Sequence, residues 1–123
     1  MERRQILIVD DYPGARYLRS RILSEGGYEV LEAGTGAEAL ELMRREQRRV
    51  DLVVSDVIMP EMDGPTLLKE LRKSKPDLKF IFVSGYPDDA FKKSLDDGED
   101  YAFLPKPFTL PQLAAKVKEE LGR

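Results

Sequence analysis

The chain reads as an α/β domain: a doubly wound, parallel sheet with helices on both faces. Three observations predict it. Strand-like and helix-like signals alternate from end to end in five successive units, the pattern of βα repeats. The apolar runs stop abruptly at polar residues, as buried strands do where they meet the rim of a sheet. The 123 residues make one ordinary domain, read as spanning residues 1–123, able to bury about two thirds of its unfolded surface around one core.

The elements follow in order. Gln5-Ile6-Leu7-Ile8-Val9 is the first strand and ends in Asp10-Asp11. Pro13-Gly14 opens a helix in which Ala15, Leu18, Ile22 and Leu23 recur at helical spacing, closed by Gly26-Gly27. Tyr28 to Ala33 is the second strand. Thr35, with Glu38 three residues on, predicts a capping box for a helix whose apolar face is Ala37, Leu40, Leu42 and Met43. Val50 to Ser55 is a third strand delivering Asp56 to a loop that contains Pro60 and Asp63-Gly64. Pro65 starts a third helix carrying Leu67, Leu68 and Leu71, which stops before Pro76. Lys79 to Val83 leads into Ser84-Gly85. A fourth helix is expected over roughly Asp88 to Leu95, with only Ala90, Phe91 and Leu95 as apolar anchors. Tyr101 to Leu104 then leads into Pro105-Lys106-Pro107, and Thr109 with Gln112 forms a second capping box for a last helix through Leu113, Ala114, Val117 and Leu121.

Composition narrows the function. A net charge of −3 with 35% charged residues of both signs describes a solvated surface with no global pull toward nucleic acid or an acidic membrane. No apolar stretch approaches the length of a membrane span, and charge follows Met1-Glu2-Arg3-Arg4 too quickly for a secretory signal. The absence of cysteine excludes disulfide and thiol chemistry, and the expected location is cytoplasmic. The absence of histidine is more selective: the chain cannot carry a phosphoryl group on an imidazole.

Asp10, Asp11 and Asp56 end neighbouring strands, at the sheet edge where open α/β folds bind ligands. Three such carboxylates repel one another unless a cation or base sits among them. An all-oxygen, carboxylate-rich set suits a hard cation such as Mg²⁺. Taken singly, Asp10-Asp11 also suits a solvated strand end or a helix cap, Ser84-Gly85 a simple turn, and Lys106 an exposed loop position.

The ordered set Asp10-Asp11, Asp56, Ser84 and Lys106-Pro107 resembles the receiver domain of two-component response regulators, over essentially the whole chain. Its second half, from DGPTLLKELRK through FVSGYPDDAFKKSL to FLPKPFTLPQLAAKVKEEL, is similar to the receiver that ends a hybrid histidine kinase. The resemblance implies a flavodoxin-like (βα)5 sandwich with strand order 2-1-3-4-5. It implies Asp56 as phosphoacceptor, and Mg²⁺ held by Asp10, Asp11, Asp56 and the backbone carbonyl of Ile58. Lys106 and Ser84 are then expected to contact phosphoryl oxygens, with Ser84 and Phe103 acting as a switch that reshapes the face of the fourth helix, fifth strand and fifth helix. Pro107 is expected to follow a cis peptide bond. The implied partner is a histidine kinase or histidine phosphotransfer protein, docking near Ala15, Leu18 and Arg19 on the first helix. The implied activity is self-phosphorylation from that donor and slow self-dephosphorylation, with bulky Ile58 and Tyr86 flanking the route of water, rather than multiple-turnover catalysis.

Other classes fit less well. A haloacid-dehalogenase-type phosphatase needs an Asp-x-Asp spacing that Asp10-Asp11-Tyr12 lacks, and neither Gly14 nor Gly34-Thr35-Gly36 begins a nucleotide-binding phosphate loop. The competing reading is a degenerate receiver that serves only as a docking module.

Overall fold

The structure, a computed structural model, describes residues 3–46, 49–87, 95 and 99–122. Among these lie β1 (Gln5–Val9), α1 (Pro13–Glu25), β2 (Glu29–Ala33), α2 (Gly36–Glu46), β3 (Val50–Asp56), α3 (Gly64–Ser74), β4 (Lys79–Ser84), β5 (Ala102–Pro105) and α4 (Leu110–Leu121). The strands form one parallel sheet in the order β2-β1-β3-β4-β5, the flavodoxin-like arrangement. The order reverses between β1 and β3, so the connections leaving those strands diverge and open a crevice at their carboxyl ends. Asp10-Asp11 and Asp56 sit at that crevice.

β1, β3 and β4 are almost wholly buried because helices cover both faces, which is why their sequences are continuous apolar runs. Successive side chains alternate between faces. Ile6, Ile8, Leu52, Val54, Ile81 and Val83 pack with Leu23 of α1 and Leu113, Val117 and Leu121 of α4. Leu7, Val9, Val53, Phe80 and Phe82 pack on the other face with Ala39 and Met43 of α2 and Leu67, Leu68 and Leu71 of α3. Leu95 is buried in this second cluster, whereas the rest of the expected helix over Asp88 to Leu95 lies outside the described residues.

The helix ends follow their local chemistry. Asp63 caps α3 by accepting from the backbone N–H of Thr66 at 2.9 Å, and Pro65 occupies the first turn, where its missing N–H costs nothing. Thr109 and Gln112 form both arms of the capping box on α4, at 3.2 and 2.8 Å. At α2 the box is only half made. Thr35 Oγ1 accepts from Glu38 N at 3.0 Å, but the Glu38 carboxylate reaches past Thr35 and accepts from Gly34 N at 3.0 Å.

Two helix faces differ from the sequence reading. On α2, Ala37 is exposed and Ala39 buried, because the stripe that meets the sheet runs through residues 39 and 43. On α1, Leu18 is 52% exposed while Arg19 is 7% exposed, so the helix is rotated to turn a guanidinium inward beside Leu23. The reason is a buried partner, Asp10, at the end of β1.

Candidate functional site

Four connections converge at the carboxyl end of the sheet. Asp10 follows β1, and its backbone N–H donates to Ala33 O at 3.1 Å, continuing the β1–β2 pairing. Its Oδ1 accepts from Tyr12 N at 2.8 Å, folding the chain directly into α1. Arg16 reinforces this corner: one of its nitrogens donates to Asp10 O at 2.7 Å and another to Glu32 Oε1 at 3.1 Å. Asp56 is the last residue of β3, in register with Val83, so Ser84 lies one position beyond its neighbour on β4.

The loop after Asp56 is held tightly. Gly64 N donates to Val57 O at 2.7 Å, and α3 begins so close to the strand end that a Cβ on Gly64 would lie 2.5 Å from the Asp56 carbonyl oxygen and 2.9 Å from the Phe82 ring. Only glycine fits there. Within the loop Glu61 takes a left-handed conformation with φ 68°. The side chain of Ile58, two residues past Asp56, is 61% exposed.

Asp10, Asp11 and Asp56 each offer a carboxylate oxygen within 4.8 Å of the others; Asp10 and Asp56 are buried and Asp11 is exposed. Two side-chain cations reach this cluster. Lys106 Nζ lies 2.7 Å from Asp56 Oδ1 as an ion pair. Arg19 Nη1 pairs with Asp10 Oδ2 and lies 3.9 Å from Asp56 Oδ1. The Asp56 carboxyl is pushed up from 3.8 to about 6: burial raises it most, Lys106 draws it back, and the neighbouring Asp10 raises it further. Three carboxylates whose oxygens converge this closely at a strand-end crevice are a hard-oxygen donor set that fits Mg²⁺.

Ser84 is buried at the end of β4, and its Oγ accepts from Tyr86 N at 2.9 Å, a contact that leaves the hydroxyl hydrogen available to donate. Lys106 N donates to Ser84 O at 2.7 Å, fixing the start of the lysine loop, and the Lys106–Pro107 bond is cis. Phe103 is half-buried on β5, opposite Phe82, and packs against the cluster that contains Phe82. By strand alternation it shares a face with Ser84 and stands diagonally across from it.

The sequence reading thus finds its charged residues together, with one omission. It grouped Arg19 with Ala15 and Leu18 for docking only; Arg19 does line the groove they share, but its side chain is buried and paired with Asp10. Ala15 is half-buried and Leu18 exposed; both line an open groove with Pro107, Phe108 and Leu110. The signal that could have found Arg19 is its spacing of four from Leu23, which puts both on one helical face.

A family model described as the response regulator receiver domain matches residues 6–118. The chain is 57% identical over 118 residues to the sensor kinase CckA of Brucella abortus (strain 2308), across 96% of this chain and 12% of that protein's length. The similarity therefore embraces both halves of this chain while touching a small part of the relative. Among solved structures, the receiver domain of the hybrid histidine kinase CckA superposes with a TM-score of 0.80 at 41% identity, over 95% of this chain and 98% of that one. The chemotaxis protein CheY4 of Vibrio cholerae superposes at 0.87 with 27% identity, over 97% and 99%.

Proposed function

The chain belongs to the response regulator receiver domain family of two-component signalling, and we propose that it works as a single receiver that accepts a phosphoryl group from a phosphohistidine onto Asp56. One observation carries this reading: Asp56 ends a central strand as a buried carboxylate between a lysine ammonium and two further aspartates. Phosphoryl transfer has a loose transition state, so the protein's work is to align the reactants and absorb charge.

An Asp56 oxygen attacks phosphorus in line as the P–N bond breaks. The electron pair of that bond returns to the imidazole nitrogen, and Asp56 is left as an acyl phosphate. Lys106, already on Asp56 Oδ1, shifts its charge to a phosphoryl oxygen as the carboxylate loses its own. Ser84 donates its free hydrogen to another. Asp10, Asp11, Asp56 and the carbonyl of Ile58 would hold Mg²⁺, which when bound would supply positive charge to the phosphoryl oxygens.

The readout is steric. Ser84, drawn toward the phosphoryl group, vacates space on the face it shares with Phe103, and the half-buried Phe103 ring turns into it. The donor is a histidine kinase or phosphotransfer protein that lays a helix along α1, against Leu18 and the groove toward Phe108.

Incubation with acetyl phosphate, with and without Mg²⁺, tests the proposal on the wild type and Asp56→Asn. The reading expects Mg²⁺-dependent, base-labile label on the wild type alone. Equal label on both proteins, or none on either, refutes it.

A further inference from the structure

Arg19 is a charged side chain on a helix face that otherwise meets an apolar cluster, and it is buried. Long cations are rarely buried without a compensating partner. Here the partners are two of the three carboxylates that would hold Mg²⁺: Asp10 directly, and Asp56 at 3.9 Å. The Phe108 ring faces the guanidinium with its centroid 5.2 Å away, bracing the cation against the pocket.

We propose that Arg19 is a built-in counter-cation, occupying the acidic pocket in the metal-free protein and competing with Mg²⁺ for it, so that this side chain sets the metal concentration at which the pocket fills. The inference rests on the Mg²⁺ site proposed above. Three observations support it. First, the charges nearly balance without metal, with three carboxylates facing Arg19 and Lys106. A dication added to this set leaves positive charge in excess unless a side-chain cation withdraws. Second, Mg²⁺ requires oxygen ligands at about 2.0–2.1 Å in near-octahedral directions, and the guanidinium lies against the carboxylates that would supply them. Third, Arg19 is not needed to fasten α1 to the sheet edge. Arg16 already does so through Asp10 O and Glu32, and Leu23 anchors the same face.

Calorimetric titration of the wild type and Arg19→Leu with Mg²⁺ at neutral pH tests this. Arg19→Leu should bind Mg²⁺ about tenfold more tightly, the worth of roughly one charge-assisted contact. Equal or weaker binding overturns the competition while leaving the metal site standing. No Mg²⁺ binding by either protein overturns the site and the competition with it. A second measurement needs no variant: nuclear magnetic resonance of the Arg19 guanidinium hydrogens in the wild type. They should be protected from solvent exchange without metal and lose protection as Mg²⁺ saturates. Protection that persists at saturation shows that the guanidinium never leaves, and overturns the proposal.

Discussion

Replacing Asp56 by Asn should stabilise the metal-free protein at neutral pH and leave it unchanged in acid. The carboxyl is pushed up from 3.8 to about 6, by burial first and by Asp10 in addition, against the pull of Lys106. An acid that binds its proton more tightly folded than unfolded favours the fold while protonated. That contribution is complete below about pH 4 and is lost as pH rises through about 6. A rise of about two units corresponds to about 3 kcal/mol, reduced to about 2 kcal/mol by solvent screening at the pocket mouth. For a domain of this size that is a melting difference of about 8 °C. The assay is urea or thermal unfolding followed by circular dichroism in chelator, from about pH 4 to about pH 7. The two proteins should coincide at the acid end and diverge upward, with Asp56→Asn the more stable, and saturating Mg²⁺ should then raise the wild type more than the variant. Parallel curves across the range, or a less stable variant at neutral pH, would refute the idea that the carboxylate is held at a cost.

Further substitutions probe the frame and the site. Gly64→Ala puts a methyl group 2.5 Å from the Asp56 carbonyl oxygen, a backbone atom that cannot yield cheaply, and should cost about 1–3 kcal/mol in chemical denaturation. Thr109→Ala removes one arm of the α4 capping box and should cost about 1 kcal/mol by the same assay, with Thr109→Ser restoring most of it. Ile58 and Tyr86 stand exposed beside the strand ends, and Ile58→Asn or Tyr86→Ala should hasten loss of the phosphoryl label by opening the path of water; an unchanged decay rate counts against that screen.

The strands were legible because being covered on both faces makes a run of apolar residues, and leaving the sheet ends it; Asp10, Asp56 and Ser84 mark three such ends. The Thr109–Gln112 box was legible because both its arms are local. Thr35–Glu38 looks identical in sequence, yet the glutamate returns to Gly34 instead of Thr35, a choice made by the path of the chain before the helix. The rotation of α1 was hidden for a different reason. Leu18 and Arg19 are adjacent, so helical spacing permits either to face inward, and a transfer scale favours the leucine. Arg19 wins because its partner lies at the end of β1, which the fold alone brings within reach. The spacing of four from Leu23 permits Arg19 to face inward, but only the folded chain shows the partner that holds it there.

The proposed receiver activity depends on an Asp56 carboxylate oxygen forming the new P–O bond. The direct measurement is borohydride reduction of the chain after treatment with acetyl phosphate and Mg²⁺, followed by peptide mass spectrometry, since reduction converts an aspartyl phosphate to homoserine at the modified position. The account predicts homoserine at position 56 and at no other aspartate; conversion at Asp10 or Asp11, or none anywhere in a folded, Mg²⁺-loaded protein, contradicts it.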